Sequence, residues 1–200
     1  MSLLHNSLRV VPANWLEPLD LTSIFGAPPP ELEVDLGCGK GRFLLARAQR
    51  YPQVCFLGID RLLLRILRVE RAIQRLHLTN IRLLYAEAAY ALSHLLPSAA
   101  VSVYYIFFPD PWPKRRHHRR RLFAAPFLDA LHRTLRPAGR VHIATDHDDY
   151  FAVIKRVFAA DSRFMSQEPL ELEDAERTDF EMLFLRQHQA IHRCSFSKVF

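Results

Sequence analysis

Glu31-Leu-Glu-Val-Asp35-Leu-Gly37-Cys-Gly39-Lys-Gly41-Arg-Phe-Leu-Leu-Ala-Arg-Ala-Gln49 carries the signal that decides the fold. Residues 31–36 read as a buried strand, and 42–49 as a helix with apolar Phe43, Leu44, Leu45, Ala46 and Ala48. Between them stand Gly37, Gly39 and Gly41. Glycines at the end of a strand permit a tight turn and let a ligand approach the backbone. The G-x-G-x-G spacing is not the G-x-G-x-x-G of a dinucleotide site, and no G-K-[ST] follows, so NAD and ATP both lose ground.

Outward from this unit, strand signals recur at 54–59, 81–85, 101–108 and 141–145, with helices predicted over 61–76, 88–96, 126–135 and 149–159. A late strand is expected at 191–199, and the acidic stretch 161–178 gives too weak a signal for assignment. Strand and helix alternating in this way predict an α/β fold with a mostly parallel sheet and helices on both faces. Gly26-Ala-Pro-Pro-Pro30 is the one linker-like stretch, so a short N-terminal arm, 1–30, is expected to precede a single domain, 31–200. Cys38, Cys55 and Cys194 are odd in number and lack C-x-x-C spacing, which implies neither disulfides nor zinc and suits a reduced, cytoplasmic protein. No stretch reads as a secretion signal or a membrane span, and the ten histidines form no H-x-x-x-H pattern, so neither a membrane nor a metal is expected.

Charge is unevenly placed. The chain has 27 Lys plus Arg against 21 Asp plus Glu. Lys114-Arg115-Arg116-His117-His118-Arg119-Arg120-Arg121 contains an excess of cations equal to the whole net charge of +6, and such a run suits a phosphate backbone. It follows Phe108-Pro-Asp110-Pro-Trp112-Pro, whose three prolines fix a stiff loop at the sheet's carboxyl edge, where substrates are held. Acids also end the earlier strands. Asp35 suits a ligand that joins a zwitterionic methionine to a ribose, Asp60 can accept from ribose hydroxyls while capping the helix after it, and Glu87 could accept from an adenine amino group. Arg61, Arg65, Arg68, Arg71 and Arg75 recur three or four residues apart, and a solvated helix face is the simpler reading of that row.

With the glycine turn, the F-P-D-P-W-P-K-R-R-H run and Thr178-Asp-Phe-Glu181 in view, the chain resembles the bacterial tRNA (guanine-N7)-methyltransferase family from about Leu32 to Arg193. The resemblance implies a Rossmann-like class I methyltransferase fold with a late antiparallel strand, and S-adenosylmethionine as cofactor. It implies a cofactor site built from the glycine turn with Asp35, Asp60, Glu87 and Asp110. Asp146, Thr178 and Glu181 match positions around the target guanine, and Lys114, Arg115, Arg116, Arg119 and Arg120 match the segment facing tRNA. Asp35 and Asp60 replace the family's usual glutamates, Glu87 its usual aspartate, and His188 its usual glycine near the last strand. Because guanine N7 carries a lone pair and no proton, alignment rather than a general base carries such a transfer, with Asp110 or Asp146 stabilising the charge gained by the base. The rival readings are a class I methyltransferase acting on another RNA site, and a non-catalytic RNA-binding module; monomer and homodimer are equally compatible with the sequence.

Overall fold

The computed structural model describes residues 7–199; the first six residues of the expected arm, and Phe200, lie outside it. Strand β2 (Leu32–Leu36) is the centre of the molecule, and all five of its residues are buried. Its side chains alternate between faces, so Leu32, Val34 and Leu36 enter the larger core while Glu33 and Asp35 face the other way. Around it run β1 (Arg9–Val10), β3 (Cys55–Asp60), β4 (Ile81–Tyr85), β5 (Val101–Phe107), β6 (Leu135–Thr145), β7 (Phe164–Gln167) and β8 (His192–Lys198). They form one sheet in the order β1-β4-β3-β2-β5-β6-β8-β7. β8 runs antiparallel to β6 and β7, and the other pairs are parallel, so the expected architecture and its late antiparallel strand are present.

Helices α2 (Arg42–Arg50) and α3 (Leu63–Arg75) cover one face through a core that includes Leu44, Ala48, Ile66, Val69 and Ile73. The larger core on the opposite face takes residues from α4 (Ala88–Tyr90), α5 (Ala125–Thr134) and α6 (Asp148–Ala159). The helix expected at 88–96 is only three α-helical residues followed by a π-helical turn, Ala91–Leu95, closed by Leu96 N–H donating to the Ala91 carbonyl at 2.9 Å. β6 begins well before the expected 141, because pairing with β5 starts at Val101 and Leu135 and passes a register shift before Val103. The bulged stretch, Arg136-Pro-Ala-Gly139, hides that half of the strand from pattern reading.

The segment before Glu31 lies against the domain. β1 pairs with β4, Leu19 is buried in the larger core, and Arg82 donates to the Ile24 carbonyl at 3.0 Å at the end of helix α1 (Leu21–Phe25). The stretch without a sequence signal contains β7 and a 3₁₀ turn at Asp174–Glu176, followed by α7 (Asp179–Arg186). This β7–β8 connection is docked on α2. Arg47 pairs with buried Glu176 at 3.3 Å, Arg50 with Glu173 at 2.7 Å, and Arg42 donates to the Arg177 carbonyl at 2.9 Å. Arg47 also reaches Glu33 at 3.4 Å, and Glu33 accepts from the buried Tyr105 hydroxyl at 2.9 Å.

Candidate active site

The order of the strands reverses beside β2: β3 and β4 extend one way, β5 and β6 the other. Ligands bind in open α/β sheets at such a switch point, outside the carboxyl ends of the strands. A cavity of about 440 Å³ lies there, lined by the glycine turn, the ends of β2, β3 and β5, the residues that follow β4, the Asp110 loop and the start of α7.

The turn is built by its own backbone. Gly37 and Cys38 both donate to the Ile59 carbonyl, at 2.8 and 3.0 Å, which ties the turn to β3. Gly37, at φ 87°, has nothing within 4 Å of where a Cβ would stand, so its space is open to a ligand. Gly41 is required for a different reason: a Cβ there would meet Val69 Cγ2 at 2.7 Å, at φ 81°, so its lack of a side chain lets α2 start against α3.

Asp60 is 3% exposed, and its carboxylate is already engaged. One oxygen accepts from Gly39 N–H at 2.9 Å and takes Arg65 at 3.3 Å, while the other accepts from Leu62 N–H at 2.8 Å. The expected cap on a helix starting at Arg61 is corrected: α3 begins at Leu63 with Leu62 as its N-cap, because Asp60 bonds the lead-in turn instead. Asp35, 5% exposed, is pushed up to about 8, first by burial and then by the neighbouring charge of Asp60. Glu87 caps α4, accepting from Tyr90 N–H at 2.8 Å, and Asp110 is exposed with Arg61 at 3.4 Å.

The Asp110 loop is strained as well as stiff. Phe108 and Trp112 stand at φ 54° and 44°, each immediately before a proline, and such left-handed non-glycine positions cost about 1–3 kcal/mol. Phe108 packs on Phe180 and Phe184 of α7 at ring distances of 6.1 and 5.4 Å, and Arg120 lies 4.9 Å over the Trp112 ring. The basic run folds as a 3₁₀ helix over Arg115–Arg120. Lys114, Arg115, Arg116, Arg119 and Arg120 are exposed, with Arg120 at the cavity wall. Arg121 differs: it is buried and donates to the Pro111 carbonyl at 2.8 Å, so one cation of the run anchors the loop.

Of the residues singled out in the sequence, the cavity gathers Asp35, Gly37, Gly39, Gly41, Asp60, Arg61, Arg65, Glu87, Asp110, Trp112, Arg120 and Thr178. Asp146 and Glu181 are not in its wall. Asp146 directly follows β6 at the same edge and accepts from Gln189 at 3.4 Å. Glu181 is 2% exposed, paired with Arg193 and, at 3.5 Å, with Arg177, and its Oε2 is buried without a partner. Burial pushes its pKa up against the pull of those arginines. Sequence reading missed Phe107, Phe180 and Leu183 in the wall, because nothing in their spacing separates a cavity lining from a core. Among the described residues no group of His, Cys, Asp and Glu could hold a metal ion, and no helix is long and apolar enough to cross a membrane.

Solved structures with this fold include a 16S rRNA methyltransferase, KamB (TM-score 0.66, 16% identity, 92% of this chain and 95% of that one), and the antibiotic-resistance methyltransferase Kmr (TM-score 0.63, 18% identity, 90% and 92%). Among curated relatives, the tRNA (guanine-N(7)-)-methyltransferase of Nitrosomonas europaea is 37% identical over 75% of this chain and 66% of its own length. That of Nitrosococcus oceani is 40% identical over 74% of this chain and 62% of its own length. The chain thus spans just under two-thirds of the length of the curated relatives it matches. A family model described as "Putative methyltransferase" matches residues 30–194, from the foot of β2 into β8 and so across the whole cavity. The chain belongs to that methyltransferase family.

Proposed function

We propose that this protein transfers a methyl group from S-adenosylmethionine to N7 of a guanine in tRNA, in the variable loop. The observation that carries the reading is a buried, uncompensated carboxylate, Asp35, in a cavity that also has Asp60, Glu87 and Asp110 at successive strand ends and a basic helix on its lip. A carboxyl held at about 8 in a cavity fits a ligand that brings positive charge, as a sulfonium carrying an ammonium does. When bound, that cofactor supplies an electrophilic methyl group.

The chain's own residues do the rest. The open backbone at Gly37 and Gly39 receives the methionine moiety, Asp35 faces its charge, Asp60 and the turn it fixes hold the ribose, and Glu87 lies at the adenine end. No residue has to remove a proton from guanine N7, so the rate depends on holding its lone pair in line with the methyl group. Positive charge passes to the base, and Asp110 offsets it from the cavity wall, with Asp146 at the same sheet edge. Thr178 and Glu181 place α7 over the base, and the exposed cations of Lys114 to Arg120 take the phosphates. A tRNA substrate and the free thiols Cys38, Cys55 and Cys194 suit the cytoplasm.

Unmodified tRNA transcript incubated with methyl-labelled S-adenosylmethionine should yield labelled 7-methylguanosine on nuclease digestion. Label at another nucleoside would transfer the reading to a different RNA site, and cofactor binding without label in any RNA would leave a non-catalytic module.

A further inference from the structure

The arginine row of α3 is not explained by the cavity alone. Ile66, Val69 and Ile73 are the buried residues of this helix, and at about 100° per residue Arg68, Arg71 and Arg75 fall on its opposite side, exposed. Arg61 and Arg65, at the helix entrance, line the cavity and meet Asp110 and Asp60 at 3.4 and 3.3 Å. Beyond them the row has no counter-charge. Among the described residues Arg68, Arg71 and Arg75 form no ion pair, and the helix's single acid, Glu70, is taken by Arg9 at 3.0 Å. Exposed helix faces that serve only solubility mix their signs in i,i+4 pairs, which this face does not.

We propose that the outer face of α3 is a second phosphate-binding surface, which tracks one strand of a double-helical arm of the RNA whose target base enters the cavity. The inference rests on the RNA reading given above. At 1.5 Å per residue, Arg68, Arg71 and Arg75 spread over about 10 Å of the outer face, each roughly 5–6 Å from the next. A row of unpaired cations at helical spacing suits the regular backbone of a duplex, which proteins recognise through shape and phosphates. The sheet order places it opposite the other basic surface. α3 follows β3 on one side of β2, while the Arg115–Arg120 helix follows β5 on the other. RNA is then gripped on both flanks of the target base.

The test compares the variant Arg68→Gln/Arg71→Gln/Arg75→Gln with a control of equal charge, Arg140→Gln/Lys155→Gln/Arg156→Gln, which removes three exposed cations elsewhere. Filter binding of tRNA transcript and of a simple RNA hairpin is measured across a salt series, with cofactor affinity and melting temperature beside it. The α3 variant should lose about tenfold in affinity for both RNAs at low salt and lower the slope of log K against log[salt] by about two. Its cofactor affinity and melting temperature should match the parent, and the control should keep the parental slope. Superimposable lines for all three proteins would overturn the proposal, and so would a loss seen with tRNA but not with the hairpin. If the parent methylates no tRNA, the functional reading fails by itself, and hairpin binding still decides whether this face holds a duplex.

Discussion

Asp35 combines two demands that a single residue does not usually meet at once. Its carboxyl is held at about 8, above the ordinary value of 3.8. Between those values the folded protein keeps a proton that the unfolded chain has released, so the stability tied to Asp35 is full in acid, falls as pH rises toward 8 and is lowest above it. Asp35→Asn should therefore stabilise the ligand-free protein by roughly 1–3 kcal/mol at pH 8 and abolish most cofactor binding, as thermal melts and calorimetry would show. In the parent, a cationic ligand favours the ionised form, so cofactor affinity should climb up to about pH 8 and then level off; a flat profile there would refute the charge contact. Asp60→Ala should weaken cofactor binding by about 1–3 kcal/mol, because it frees Gly39 and Leu62 N–H groups as well as any ribose contact. Both acids were legible in the sequence because strand ends announce them. That Asp60 also fixes the turn was not, since the contact joins residues 21 apart through folding alone.

Among the elements, the β7–β8 connection was the least visible and is the most dependent on tertiary partners. Helix α7 has eight residues, and Phe180, Leu183 and Leu185 on it are partly exposed, so no buried stripe marks it in the sequence. It exists because α2 holds the segment before it. Arg47→Ala should cost about 3–5 kcal/mol by leaving Glu33 and Glu176 buried without their shared cation, a loss that urea unfolding would register. α7 ends at a second point of strain. His188, at φ 54°, occupies the left-handed position after the helix, with its N–H on the Leu185 carbonyl at 3.1 Å. His188→Gly should thus raise stability by about 0.5–1 kcal/mol with no change in cofactor affinity, where most glycine substitutions would lower it.

At the scale of the molecule, the mostly parallel sheet and its two covered faces followed from alternating strand and helix signals, whereas the order of the strands and the distribution of charge needed the fold. Arg121 belongs to the basic run in sequence but is buried under the Asp110 loop. Replacing Arg115, Arg116, Arg119 and Arg120 together with glutamine should flatten the salt dependence of tRNA binding by about 0.7–0.9 per lost phosphate contact and leave the fold intact. Arg121→Gln alone should instead lower the melting temperature. The outer strand on the α3 side has a consequence of another kind. β1 contributes only Arg9 and Val10, yet they occupy the backbone of Leu83 and Leu84 that β4 would otherwise present. A chain shortened to begin at Asn14 would bare that row of donors and acceptors on an apolar strand, and its failure would be seen first as concentration-dependent self-association, by strand addition between copies, before any loss of catalysis.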